Sequence, residues 1–83
     1  MPQDNPSSPT IFIHVRPIGL LRKFARDEEI RVDVGTTPKG VIELLRIPDK
    51  LKMVGFINGG KASLDDQLQD GDELKLVTLA TGG

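Results

Sequence analysis

The chain contains no cysteine, tryptophan or tyrosine, and His14 is its one histidine. Without cysteine there is no disulfide framework, no thiolate metal site and no thiol nucleophile. A single histidine excludes a multi-histidine metal site. The usual catalytic side chains are therefore nearly missing, and the chain is not expected to be an enzyme by itself. An excess of charge of one sign is also lacking: 11 Lys and Arg stand against 12 Asp and Glu, for a net charge of −1. Phosphate binding leans on a basic face, so nucleic acid is not expected as the main partner. No apolar run approaches the roughly 20 residues that span a bilayer, and the N-terminus lacks the hydrophobic region of a signal peptide. A cytoplasmic protein with no membrane partner is the expectation.

What is present fits one small domain. The 83 residues, 37% of them hydrophobic, match an ordinary folded chain and not a disordered one. A chain of this size buries roughly 60% of its unfolded surface in a single core. Residues 1–9, MPQDNPSSP, hold three prolines and two serines with no apolar period, which reads as a flexible tail. The fold is then expected over residues 10–83.

Thr10 to Arg16 alternates, with Ile11, Ile13 and Val15 on one face and Phe12, His14 and Arg16 on the other. This is a half-buried strand, broken at Pro17 and Gly19. Leu20 to Arg26 is too short for more than a turn. Glu29 to Val34 alternates again, with Ile30, Val32 and Val34 on one face and Arg31 and Asp33 on the other, and reads as the first strand's antiparallel neighbour. Thr37 and Pro38 mark a helix start, as N-cap and first helical residue. Val41, Leu44 and Leu45 supply its expected apolar stripe, and Pro48 ends the helix. Met53 to Ile57 is a third strand and Asn58-Gly59 a hairpin turn. After an irregular segment and an Asp70-Gly71-Asp72 turn, Glu73 to Leu79 forms the last strand. Leu74 and Leu76 lie on one of its faces, Val77 and Leu79 on the other. This order predicts an α+β roll, a four- or five-stranded mixed sheet gripping one helix.

Three motifs suggest ligands and fail on chemistry. Gly55 to Lys61 fits GxxxxGK, but Ala62 replaces the Ser or Thr that holds magnesium, and no helix follows. The acids Asp65, Asp66, Asp70, Asp72 and Glu73 lack EF-hand spacing, because Leu68 and Val77 stand where oxygen ligands belong. Arg22, Lys23 and Arg26 form a basic run, with Arg16 nearby. Asp27, Glu28 and Glu29 follow directly and are expected to neutralise it into a solvated face.

Two features ask for a function. If Leu74 and Leu76 face the core, then Phe12, Val77 and Leu79 face outward as an apolar surface of the kind that marks a partner site. The sequence also ends on Gly82-Gly83, a few residues past the last strand. Residues without side chains can thread a narrow channel and present a carboxylate to a nucleotide.

These residues resemble the ThiS/MoaD-type sulfur carriers, relatives of ubiquitin. The resemblance covers about Thr10 to Gly83. It is carried by the two first strands, the Thr37-to-Ile47 helix, the Asn58-Gly59 turn, an anchoring Leu68, the Asp70-Gly71-Asp72-Glu73 turn, the last strand and the terminal Gly-Gly. The proline often found before the tail of the molybdopterin-synthase subunit is absent from Val77-Thr78-Leu79-Ala80-Thr81. The resemblance implies the β-grasp fold and a main-chain chemistry. A ubiquitin-activating-type adenylyltransferase uses ATP and magnesium to adenylate Gly83. A sulfur donor such as a persulfide enzyme then displaces AMP, leaving a thiocarboxylate for an acceptor synthase. Gly82, Thr81 and Ala80 would thread the partner's channel, while Phe12, Val77 and Leu79 would dock it. Thiazole, molybdopterin or tungstopterin, thiolated tRNA and cysteine synthesis are the destinations this implies, alongside conjugation to protein lysines. A non-covalent β-grasp interaction module is the alternative reading.

Overall fold

Ile11, Ile13 and Val15 are buried and their alternates are not, as a strand with one core face requires. The structure, a computed structural model, describes residues 9–48 and 51–79. The elements run β1 (Thr10–Ile18), a 3-10 turn (Gly19–Lys23), β2 (Glu28–Asp33), α1 (Pro38–Leu44), β3 (Met53–Ile57), β4 (Gly60–Ala62) and β5 (Glu73–Thr78). The strands form one mixed sheet in the order β2-β1-β5-β3-β4. The two central strands, β1 and β5, are parallel, and every other pair is antiparallel. This is the expected β-grasp, with α1 over one sheet face.

Leu74 and Leu76 of β5 are fully buried beside Ile13 and Val15, and Val41, Ile42, Ile47 and Leu68 complete the core. Leu68 is further fixed by its N–H, which donates to Thr36 O at 2.9 Å. A tight side-chain clamp closes the far end of the sheet. Asp72, buried, accepts from Asn58 Nδ2 at 2.8 Å and from the Gln69 N–H at 2.8 Å. Asn58 Oδ1 in turn accepts from the Glu73 N–H at 2.9 Å. The hairpin turn that Asn58 (φ 53°) and Gly59 (φ 89°) make is thus tied to the start of β5.

Four expectations are corrected. The first strand does not stop at Pro17 but runs to Ile18. His14 N–H donates toward β5, to Asp72 O, so alternation turns the nitrogen of Pro17 to the opposite side. β2 pairing ends there at Val15, so no ladder bond is lost. Val34 lies past the end of β2 and its side chain is exposed, although its N–H still donates to Pro9 O at 3.0 Å. The irregular segment contains a short strand, β4, paired to β3 across the Asn58-Gly59 turn.

The fourth correction concerns the helix. Its buried face is Pro38, Val41 and Ile42, with Leu45 half-buried, while Leu44 is 61% exposed. At 100° per residue, Leu44 points well away from the mean direction of that set. The start is as expected: Thr37 Oγ1 accepts from the Gly40 N–H at 3.2 Å. The end comes before Pro48. Arg46 takes φ 60°, the Arg46 N–H donates to Glu43 O at 3.0 Å and the Ile47 N–H donates to Ile42 O at 3.1 Å. That bonding pattern is a Schellman stop. It follows that Leu76→Ala should cost roughly 2–5 kcal/mol of stability. Leu44→Ala should stay within about 0.5 kcal/mol. Chemical denaturation of both variants checks the pair, and a comparable loss in each would contradict this packing.

Candidate functional site

The sheet's outer face is the surface opposite α1, and register assigns its rows. Parallel partners share a face, so Ile18 lies beside Val77, Arg16 beside Lys75 and His14 beside Glu73. Antiparallel pairing adds Val54 beside Val77 and Phe56 beside Lys75. One end of the face is therefore an apolar row of Ile18, Val77 and Val54. Beyond it, Leu79 is 51% exposed, and its N–H donates to Lys52 O at 2.9 Å, which extends the β3–β5 ladder past Thr78. On the helix side, Leu79 also borders a groove of about 780 Å³ whose lining mixes Ile42, Leu51, Met53 and Leu64 with Lys39, Glu43, Lys52 and Asp65. The last strand thus leaves the sheet between an apolar row and a groove of mixed character.

Phe12 shares the outer face but not this end. It lies six positions before Ile18 on β1, roughly 20 Å along a strand. Its N–H donates to Asp70 Oδ1 at 2.8 Å, its carbonyl accepts from the Gly71 N–H at 2.8 Å, and the Arg31 guanidinium sits 5.1 Å from its ring centroid. The structure brings Val77 and Leu79 together and holds Phe12 apart. Ala80, Thr81, Gly82 and Gly83 lie outside the described residues, as do residues 1–8 of the N-terminal segment. Ile18 and Val54 are the members that sequence reasoning missed. The alternation of β1, carried past Pro17, would have found Ile18.

The middle of the outer face is ionic. His14 Nε2 meets Asp27 Oδ1, and an ionised carboxylate only accepts, so Nε2 donates. Arg16 Nε lies 3.4 Å from Asp27 Oδ2, and its guanidinium donates to Glu73 Oε2 at 3.0 Å. Asp27 is therefore drawn onto the sheet and away from the basic run that precedes it. Glu29 stands opposite His14 in the β1–β2 register. Arg22, Lys23 and Arg26 are exposed, as a solvated face requires, but among the described residues none of them is ion-paired: Asp27 is engaged from β1 and Glu29 stands opposite His14.

The GxxxxGK stretch is a hairpin in which Gly55 is buried under Leu64. A Cβ there would come within 3.4 Å of Leu64 Cδ2. Among the described residues no group of His, Asp and Glu could hold a metal ion, and no helix is long and apolar enough to cross a membrane.

The fold and its apolar end define a small ubiquitin-like protein. A profile of the ThiS family matches residues 15–83, and the chain belongs to that family. Solved structures share the fold. The HVO 2177 protein of Haloferax volcanii is similar at TM-score 0.73 and 21% identity, over 98% of this chain and 94% of that one. A candidate molybdopterin converting factor subunit 1 from Pyrococcus furiosus is similar at TM-score 0.62 and 17% identity, over 84% and 99%. The small archaeal modifier protein 1 of Methanosarcina acetivorans follows at TM-score 0.63 and 19% identity, over 90% and 99%. Among curated proteins, none matches the sequence.

The ionic cluster has a pH consequence. Hydrogen bonding from His14, supported by the charges of His14 and Arg16, holds the Asp27 carboxyl below its ordinary value of 3.8. The unfolded chain then binds the proton more readily, so this contribution is present above the ordinary value and is lost as pH falls through and below it. Asp27 is exposed, so the effect is small. Denaturation midpoints followed from neutral pH to below about pH 4 should fall more steeply for the native chain than for Asp27→Asn. Parallel curves would show that the pair contributes nothing.

Proposed function

We propose that this protein is a sulfur carrier whose reactive group is the Gly83 carboxylate. A ubiquitin-activating-type partner joins that carboxylate to AMP, using ATP and magnesium and releasing pyrophosphate. The acyl adenylate is the electrophile a free carboxylate is not. A persulfide sulfur attacks its carbonyl carbon and AMP leaves. A thiol then cleaves the resulting acyl disulfide, leaving the thiocarboxylate on Gly83 and a disulfide on the donor side. This chain supplies no catalytic side chain. It supplies a rigid body, a docking row and a tether. An acceptor synthase consumes the thiocarboxylate.

The observation that carries the reading is the family match, which runs through Gly82 and Gly83 while β5 ends at Thr78. Five residues after Thr78 reach at most about 18 Å. The docking row of Ile18, Val54, Val77 and Leu79 therefore sets where Gly83 can arrive, with Ala80, Thr81 and Gly82 filling the partner's channel. A second reading, transfer of Gly83 to protein lysines, has its support in the likeness to small archaeal modifier protein 1. It shares the adenylation and replaces sulfur by a lysine amine.

Intact-mass analysis after incubation with the cognate activating enzyme, ATP and a persulfide donor tests the chemistry. The expected result is the mass gain of one oxygen replaced by sulfur, with ATP–pyrophosphate exchange. Deleting Gly83 or adding one alanine after it should abolish both and leave the fold intact. A native chain that binds the enzyme yet gains no mass and supports no exchange would point instead to a non-covalent module, and an extended variant activated as well as the native chain would remove the role given to Gly82 and Gly83.

Docking is tested separately. Val77→Asp or Leu79→Asp buries an unpaired carboxylate at the interface and should weaken partner binding by at least about 2 kcal/mol. Phe12→Asp, at the other end of the face, should weaken it less. Equal losses, or none, in calorimetric titration would move the interface away from the tail.

A further inference from the structure

The corner that joins β1 to β2 is an unassigned cationic pocket. The 3-10 turn begins directly after Ile18, the register partner of Val77, so it lies at the end of the sheet where β5 exits. Leu21 is fully buried and pins the turn to the core. The Phe24 and Ala25 N–H groups both donate to Leu21 O, at 2.9 and 3.1 Å, which holds the corner's shape. Arg22, Lys23, Phe24, Arg26, Glu28 and Leu45 line a concavity of about 360 Å³ there. Phe24 is 43% exposed. Arg46 follows Leu45 in the chain.

Among the described residues, none of Arg22, Lys23 and Arg26 makes an ion pair. The cause is visible one residue on. Asp27 is engaged by His14 and Arg16 on the outer face, and Glu29 stands across from His14. Among the described residues, Glu28 is the one carboxylate in the pocket lining. Counted over those residues, three cations against one carboxylate leave the corner at a local charge of about +2, in a chain whose net charge is −1.

We infer that this corner is a docking site for an acidic protein segment carrying an apolar anchor, which would seat an aromatic or aliphatic side chain against Phe24 and Leu45. The cations would meet its carboxylates, with Arg22 and Arg26 able to bind them in bidentate fashion. Shape favours this occupant over a phosphate polymer or a lipid surface. The site is a concavity and not a protruding face, and among the described residues it has no extended basic track. Glu28 in its lining would also repel a continuous anionic surface. The site stands whether or not Gly83 is activated.

The test uses the full chain, isotopically labelled, and a synthetic twelve-residue peptide alternating Asp or Glu with Leu and Phe. Amide shifts should move at Arg22 to Arg26 and Leu45 and stay still on β4. Arg22→Glu with Arg26→Glu should slow association about tenfold or more at low salt, and that difference should shrink as ionic strength rises. Phe24→Ala should weaken the complex without changing its salt dependence. Lys61→Glu with Lys75→Glu, on the outer face, is the control and should change little. Unchanged core amide shifts in each variant show that the fold is retained. Shifts centred on Lys61 and Lys75, or binding indifferent to the Arg22 and Arg26 reversal, would overturn the inference. So would tighter corner-dependent binding to phosphatidylglycerol vesicles or to single-stranded RNA than to the peptide.

Discussion

The parallel pairing of β1 with β5 is the contact on which the rest of the molecule depends. Parallel neighbours cannot be joined by a hairpin, so all intervening structure must pass outside the pair. β2 flanks β1, while β3 and β4 flank β5. α1 covers the shared inner face, where Ile13, Val15, Leu74 and Leu76 lie together in the core. Parallel direction also means that β1 and β5 end at the same edge. The apolar row, the basic corner and the exit of the C-terminal segment are neighbours for that single reason.

The outer face is divided by charge into two ends. Arg16, Asp27, His14 and Glu73 form a band across its middle. On one side lies the row of Ile18, Val77 and Val54. On the other lies Phe12, hydrogen-bonded through its backbone to the Asp70-Gly71 turn and partly covered by Arg31. The Asp72–Asn58 clamp belongs to this far end, where it fixes the start of β5. One end is therefore built for rigidity and the other left apolar and open. The sulfur-carrier function proposed above would call for both, since a loose body would not deliver a C-terminal carboxylate to a fixed point.

Much of this was legible in the residues. Period-two alternation placed the inner faces of β1 and β5 correctly, because each strand has one buried and one open face. Thr37-Pro38 and Asn58-Gly59 marked a cap and a turn through local hydrogen bonding and backbone preference, which need no tertiary information. The errors came where tertiary context decides. Leu44 looked like a core residue on spacing alone, but only the sheet's position selects which stripe is buried. Pro17 looked like a strand terminus because the early end of β2 is invisible in sequence. Phe12, Val77 and Leu79 share a face by parity, but parity carries no information about distance along it. The charge of the basic run was misjudged because neighbours in sequence were assumed to pair. In the fold, Asp27 pairs across to β1.

Pro17 ties these points together. Its ring removes an N–H on the side of β1 that β2 has already left, so the strand continues to Ile18 at no cost in sheet bonding. It also leaves no donor there for another strand to pair with, which keeps that edge open. Ile18 then reaches the row beside Val77, and Gly19, at φ 63°, turns the chain into the 3-10 segment. A strand ending at Arg16 would have left Val77 without Ile18 as its neighbour. The three residues of β1 past its pairing with β2 thus carry Ile18 to the apolar row and set the basic corner beside the exit of the C-terminal segment.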